Sequence, residues 1–200
     1  MADLLLATNN GGKLKELRSL FQGLPYTPVS PAEIGLCLEV EEKGKTYEAN
    51  ARLKALTFAR ASGLLTLADD SGLEVDALGG APGVLSSRYA GQHVSDRQRV
   101  TYLLAKLKDI PWEKRAARFR CVMAVAKPQG AVRLCSGGCR GIITFEPRGS
   151  TGFGYDPIFY FPKLGQTMAE LPIEIKNQIS HRARAAKRAR LILLKLLEPG

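Results

Sequence analysis

The stretch Ala68-Asp69-Asp70-Ser71-Gly72-Leu73 sets two adjacent carboxylates after the apolar run Leu64-Leu65-Thr66-Leu67-Ala68. The run reads as a buried strand with the two acids at its end. Side chains alternate across a strand, so Asp69 and Asp70 are predicted to face opposite ways, one into a cleft and one into the scaffold. A carboxylate buried bare is costly, and it must be paired, hydrogen-bonded or bound to metal. A divalent-cation site meets that requirement for both acids and directs attention to phosphate chemistry.

Four further groups carry polar chemistry. Thr8-Asn9-Asn10-Gly11-Gly12-Lys13 has the composition of a phosphate cradle. Two glycines let backbone N–H groups approach an anion at a helix start, and Lys13 adds positive charge. The spacing is not that of a Walker A loop. Asn50 and Lys54, four residues apart, share one helix face with Tyr47 nearby. Gly152-Phe153-Gly154-Tyr155-Asp156-Pro157 combines aromatics that can stack a nucleobase with N–H and carboxylate groups that can read its edge. Lys176 and Ser180-His181-Arg182 place nitrogen donors at the start of the last helix, suited to an anion or a base carbonyl.

The elements that must position these groups follow from periodicity and punctuation. Leu4 to Ala7 is a first strand, followed by a helix with Leu14, Leu17, Leu20 and Phe21 at helical spacing. Pro25, Pro28 and Pro31 mark irregular connections. A second helix is predicted from about Thr46 to Ser62, stopped by Gly63. After the Asp-Asp strand come Leu73 to Leu78 and the turn-rich Gly79-Gly80-Ala81-Pro82-Gly83. Ser95 opens a third helix, with Gln98 completing a capping box. Residues 116 to 127 and 131 to 146 form a hairpin around Pro128-Gln129-Gly130. The last helix begins near Ser180 with Leu191, Leu194 and Leu197 on its apolar side. Early alternation of strands and helices followed by a long hairpin predicts a mixed sheet in an α/β domain.

Composition bounds the remainder. Two hundred residues with 45% hydrophobic content suit one compact domain. No segment approaches the roughly 20 apolar residues of a membrane span, and the start of the chain lacks the pattern of a signal peptide, so a cytoplasmic protein is expected. Cys37, Cys121, Cys135 and Cys139 read as reduced thiols rather than a zinc site. The net charge of +10 is unevenly spread: Lys176 to Lys195 holds seven Lys or Arg residues and no acid, while Glu33, Glu39, Glu41, Glu42 and Glu48 cluster upstream. Such a pairing suits a polyanion held together with a metal ion.

Taken together, the motifs resemble those of the inosine triphosphate pyrophosphatases, the Ham1-like family. The matching segments are Thr8 to Lys13, Asn50-Ala51-Arg52-Leu53-Lys54-Ala55, Ala68 to Leu73, Gly79 to Gly83 with Ser87-Arg88-Tyr89, Gly152 to Pro157, and Ser180-His181-Arg182. They occur in family order along essentially the whole chain. The resemblance implies one domain over residues 1–200, an elongated α/β fold with a long mixed twisted sheet, and two lobes with a nucleotide cleft between them. It also implies a homodimer. The implied reaction is Mg²⁺-dependent hydrolysis of dITP, ITP and XTP to the monophosphate and pyrophosphate, which clears deaminated purines from the nucleotide pool.

The resemblance also assigns roles. Thr8, Asn9, Asn10, Gly11, Gly12, Lys13 and Lys54 would hold the triphosphate. Glu41 and Asp70 would hold the metal, with Asp70 either the proton acceptor or only a metal ligand. Ser71, Phe153, Gly154, Tyr155, Asp156, Lys176, His181 and Arg182 would bind the nucleotide and its base. One position departs from the family: Ala49 stands where a glutamate commonly precedes the Asn-Ala, and Glu48 lies one residue, about 100° of helix, away. Glu42 adjoins Glu41 and competes for the same role. The rival readings are a nucleic-acid-binding module, suggested by the basic last helix, and a pyrophosphatase for other nucleotides such as dUTP. The first does not account for the Asp-Asp strand, so no specific nucleic acid and no membrane partner is expected.

Overall fold

The computed structural model describes residues 2–197; Met1 and residues 198–200, the ends of the domain expected over 1–200, lie outside the described residues. In chain order the elements are β1 (Ala2–Leu6), α1 (Gly11–Phe21), β2 (Tyr26–Val29), α2 (Tyr47–Ser62), β3 (Leu65–Val75) and α3 (Asp96–Lys106). These are followed by β4 (Ala116–Ala126), β5 (Val132–Ile143), β6 (Phe159–Phe161), β7 (Gln166–Thr167), α4 (Ile173–Ile179) and α5 (His181–Lys195). The strands form one mixed sheet in the order β2-β1-β3-β4-β5-β6-β7. Parallel pairing joins β1 to β2 and β3, and antiparallel pairing joins β5, β6 and β7. The fold is the expected α/β class.

Local chemistry sets the helix ends where the sequence put them. Thr46 caps α2 by accepting from the Ala49 N–H at 3.1 Å, and Gly63 ends it in the left-handed conformation, φ 70°. Ser95 and Gln98 form the full capping box of α3.

Four expectations are corrected. The Asp-Asp strand does not stop at Ala68: β3 runs unbroken to Val75, so Asp69 and Asp70 sit inside the ladder. Asp69 is met by Lys13 and Arg182 and Asp70 by the Asn50 amide, so both acids find polar partners within the strand. The segment around Pro28 is not irregular but is the edge strand β2, where a missing N–H donor is tolerated. Lys176 lies on the separate short helix α4, with the extended Ser180 as its C-cap, and only His181 and Arg182 open α5. Finally, Leu191, Leu194 and Leu197 are 60%, 42% and 44% exposed. The buried face of α5 is Ala185, Ala186 and Ala189, whose small side chains let the helix sit close to its support, together with Leu193.

The chain divides into two compact units. The first comprises Met1–Asp70, Cys121–Gly137 and Arg182–Gly200, and its core gathers Leu4, Leu6, Leu17, Phe21, Leu67, Met123, Val125 and Leu193. Tyr26 extends this core and donates its hydroxyl to the Leu193 carbonyl at 3.1 Å. The second comprises Ser71–Arg120 and Gly138–His181, with Leu73, Val75, Leu103, Leu107, Ile143, Ile158 and Met168 in its core. Within it, the fully buried Arg115 is satisfied by the carbonyls of Leu107, Ile110, Ile143 and Thr144 at 2.7–3.2 Å.

An aromatic chain in the second unit leads to one candidate site residue. Phe159 packs on Phe119 at 4.6 Å between centroids, and Phe119 stacks on the His181 ring at 4.5 Å and 13°. Gly141 lets this chain form, because a Cβ there would lie 2.5 Å from the Tyr160 carbonyl oxygen and 2.7 Å from the Phe159 ring. Neither neighbour is the free end of a flexible side chain. Gly141→Ala is therefore expected to destabilise the protein by about 1–3 kcal/mol and to lower its melting temperature by several degrees in calorimetry. An unchanged melting temperature would contradict this packing.

Candidate active site

Asp69 is buried and ringed by positive charge. Its Oδ2 lies 3.2 Å from Lys13 Nζ and 3.3 Å from Arg182 Nη2. Lys13 comes from the first turns of α1 and Arg182 from the start of α5. Arg182 also donates to Glu16 of α1 at 2.6 Å. Burial alone would raise the Asp69 pKa, but Lys13, Arg182 and Lys54 outweigh it and hold the carboxyl well below the usual carboxylate range. The same environment works in reverse on Arg182: burial opposes its charge, and Asp69 and Glu16 more than restore it. Asp69 is thus permanently ionised and tied into the scaffold.

Asp70 points the other way and meets a different set of groups. Its Oδ2 accepts from the Asn50 side-chain amide at 2.9 Å. Burial and the neighbouring Glu42 carboxylate push its pKa up to about 6, against the pull of that hydrogen bond and of Lys13 and Lys54. Lys54 ion-pairs with Glu42 and donates to the Asp69 backbone carbonyl at 3.0 Å. Burial alone would lower the Lys54 pKa, yet Glu42, Asp69 and Asp70 leave it raised.

Asn50 fixes this arrangement twice. While its amide nitrogen holds Asp70, its Oδ1 accepts from the Gly44 N–H at 2.8 Å and so anchors the loop that carries Glu42. Gly44 allows this approach, since a Cβ there would collide with the Asn50 amide and the Ala49 side chain. The acidic segment is not one field: Glu33 pairs with Arg18, Glu41 with Lys43 at 2.8 Å, and Glu42 with Lys54. The Glu41 side chain is 75% exposed, whereas that of Glu42 is 20% exposed and beside Asp70. Sequence alone gave no basis for choosing between them, because the loop has no period to assign a face.

A cation fits this donor set. Burial and the adjacent Glu42 carboxylate together raise the Asp70 pKa, a divalent ion relieves both, and hard oxygen donors suit Mg²⁺, which takes few protein ligands and completes its shell with water and phosphate oxygens. Among the described residues no cluster of three or more His, Cys, Asp or Glu side chains forms a fuller cage. The Thr8–Lys13 loop adjoins the same unit's Asp69. Asn10 caps α1 by accepting from the Lys13 N–H at 2.9 Å, and Thr8 Oγ1 accepts from the Asn10 N–H at 3.2 Å. Asn9, Asn10 and Gly11 are exposed at the helix start.

The second unit holds the remaining candidates. Asp156 Oδ2 accepts from the Phe153 N–H at 3.0 Å and from Lys176 Nζ at 2.5 Å. Lys176 is buried, with its Nζ 5.3 Å from the centre of the Phe153 ring. The Tyr155 hydroxyl donates to the Ser86 carbonyl at 3.1 Å. His181 is buried against Phe119. Ser71 follows Asp70 in β3 and is half-buried.

Glu42 figures in the sequence only as a rival of Glu41, and Glu16 and the double role of Asn50 go unidentified there. Glu16 had a signal: it lies three residues after Lys13 and next to Leu17, on the inward side of α1, where an acid needs a partner.

The raised Asp70 pKa has a thermodynamic consequence. A carboxyl whose pKa is higher folded than unfolded holds its proton more tightly in the folded chain. It therefore costs stability once the pH exceeds the unfolded value of 3.8, and the full cost is present above about 6. Between those values the cost grows to about 3 kcal/mol. In metal-free protein at pH 8, Asp70→Asn is expected to raise the melting temperature by several degrees, with the gain gone at pH 4. Equal melting temperatures at pH 8 would contradict the electrostatic picture.

The chain is similar to known proteins over nearly its whole length. The model of the Ham1 family matches residues 4–191. The dITP/XTP pyrophosphatase of Desulforamulus reducens is 52% identical over 193 residues, covering 96% of each chain. That of Bacillus subtilis is 47% identical over 198 residues, covering 99% of this chain and 98% of its own. Among solved structures, a Ham1 protein of Coxiella burnetii superposes with a TM-score of 0.87 at 41% identity, covering 98% of this chain and 100% of that one. The Ham1 protein of Staphylococcus aureus gives 0.85 at 41% identity over 97% and 99%. With its fold, its motifs and nearly its whole length matched, this chain belongs to the Ham1 family.

Proposed function

We propose that the chain hydrolyses non-standard purine nucleoside triphosphates, namely dITP, ITP and XTP, to the monophosphate and pyrophosphate, and so clears deaminated purines from the nucleotide pool. The observation that carries this reading is the set Asp70, Glu42, Lys54 and Lys13. It places an oxygen-donor pair for a divalent cation next to fixed positive charge. The names of the relatives, dITP/XTP pyrophosphatases at up to 52% identity, support the substrate class.

In the first unit, Thr8 to Lys13 and Lys54 take the triphosphate oxygens, and Glu42 rather than Glu41 joins Asp70 in holding Mg²⁺. When bound, the ion neutralises charge developing on the phosphate oxygens. The chain's own residues position the reactants and move the proton. The water oxygen bonds to the α-phosphorus, the bridging bond to the β-phosphate oxygen breaks, and pyrophosphate leaves. Asp70, ionised at neutral pH, accepts the water proton.

In the second unit, the Phe153–Asp156 loop, Lys176 and His181 receive the base, and Ser71 binds the nucleotide. The 6-oxo group of hypoxanthine and xanthine accepts hydrogen bonds where adenine offers an amino donor. A donor left unpaired against adenine costs about 1–3 kcal/mol. Arg182 is assigned a different part from the base-binding one expected of it. Its guanidinium is committed to Asp69 and Glu16, and it holds the scaffold.

A cytoplasmic homodimer belongs with this reading. Four free thiols suit a reducing compartment, and exposed apolar side chains such as Phe145, 59% exposed, are what an association would cover.

Assay of dITP, XTP, dATP, dGTP and dUTP with and without Mg²⁺ tests the proposal. Rapid pyrophosphate release from dITP and XTP only with Mg²⁺ is expected, and orthophosphate release or equal rates for dATP would refute it. Asp70→Asn is expected to lower kcat by at least about a thousandfold. Glu42→Gln is expected to raise the Mg²⁺ requirement by about tenfold or more, the size of a lost metal ligand or neighbour, while Glu41→Gln leaves it unchanged. The opposite ranking of the two glutamates would overturn the Glu42 assignment.

A further inference from the structure

The segment Gly79–Gly83 with Ser87-Arg88-Tyr89 and the capping-box helix α3 have no part in the reaction described above, yet both converge on the Phe153–Asp156 loop. The Gly154 N–H donates to Asp96 Oδ2 at 2.7 Å, across 58 residues of sequence. The other oxygen of Asp96 ion-pairs with Arg99. Arg99 Nη1 donates in turn to the carbonyls of Ser87 at 2.8 Å and Val94 at 2.9 Å. One residue on, the Tyr155 hydroxyl reaches the Ser86 carbonyl, and Ser86 Oγ accepts from the Leu73 N–H at 2.9 Å and donates to the Gly83 carbonyl at 2.6 Å. The turn at residues 83–88 is thus bolted to β3 on one side and to the loop on the other.

We propose that Asp96 is a positioning residue for substrate recognition, holding the Phe153–Asp156 loop at Gly154 in the conformation that receives the base. The inference rests on reading that loop as the base platform.

Two consecutive N–H groups of the loop are each held by a carboxylate, and the two do different things. Asp156 belongs to the loop and bonds to Phe153, so it fixes the shape of the turn. Asp96 lies on α3, so it fixes where the turn sits within its unit. Gly154 is in the left-handed region, φ 62°, where glycine has several accessible conformations. Tyr155 is held separately through its hydroxyl on Ser86; without the Asp96 contact at Gly154, the Phe153 side of the turn gains that freedom. Burial would raise the Asp96 pKa, but the Gly154 N–H and Arg99 keep it lowered, so the anchor is ionised at neutral pH. The carboxylate touches no reacting atom, and its effect travels through one backbone bond.

The test compares Asp96→Ala, Asp96→Asn and Phe153→Ala in steady-state hydrolysis of dITP, with inhibition by inorganic tripolyphosphate measured alongside. Tripolyphosphate reports on the triphosphate groups and has no base. Asp96→Ala is expected to raise KM for dITP about tenfold, the size of one lost charge-assisted hydrogen bond. It is expected to leave kcat within about threefold and the tripolyphosphate Ki unchanged. Asp96→Asn keeps an acceptor oxygen and is expected to restore KM to within about threefold of the parent. Asp96→Ser, too short to reach Gly154 but accommodated in a helix's first turn, stands in if the alanine variant does not fold.

A parental KM in Asp96→Ala beside a raised KM in Phe153→Ala would overturn the proposal and leave the loop's role intact. A parental KM in both would overturn the reading of the loop as well. A rise of the tripolyphosphate Ki together with KM would show a general loss of structure and also overturn it.

Discussion

A carboxylate buried among three cations organises the first unit. Asp69 cannot be desolvated alone, and it is compensated by Lys13 of α1, Arg182 of α5 and the nearby Lys54 of α2. Each of those helices is thereby referenced to one point on β3. Removing one partner from a buried ion pair leaves an uncompensated charge and costs about 3–5 kcal/mol, so the three contacts must form together. Lys13 positions the glycine loop, Arg182 the start of the last helix, and Lys54 the Glu42 loop. Three helices of the first unit are thus placed by one buried carboxylate.

The next residue along the strand illustrates how alternation separates two identical side chains. Asp69 meets cations and falls below the ordinary carboxylate range, while Asp70 meets Glu42, an amide and a water-poor environment and rises to about 6. A pair of acids whose environments push their pKa values apart divides into a structural and a reactive member. Asn50 makes the division precise in space, because its one amide fixes both Asp70 and the backbone of the loop bearing Glu42. The cost of burying Asp70 beside a second carboxylate is borne by the folded chain.

Local signals in the sequence were sufficient for much of this. The caps of α2 and α3, the hairpin of β4 and β5, the loop after β1 and the opposed facing of Asp69 and Asp70 all rest on spacing of a few residues, and each is present as expected. Elsewhere the deciding partner lies far away. Arg182 meets Asp69 across 113 residues and Glu16 across 166, contacts that no window of sequence reveals. The strand looked finished at Ala68 because the neutralising cations were invisible. Leu191, Leu194 and Leu197 suggested the wrong buried face of α5, since Ala185, Ala186, Ala189 and Leu193 pack inward. Glu41 and Glu42 lie in an irregular loop, where side-chain direction follows from the Gly44–Asn50 contact and not from any period.

The most direct test of the account is a carboxyl-resolved NMR titration of Asp69 and Asp70 in the metal-free protein, repeated with Mg²⁺. Asp70 is predicted to titrate near pH 6 and to shift downward when Mg²⁺ is added, while Asp69 stays ionised throughout the folded range and is little affected by the ion. If both carboxyls titrated together near the ordinary value, or if Asp69 were the one that responded to Mg²⁺, the division of labour between the two residues would be wrong.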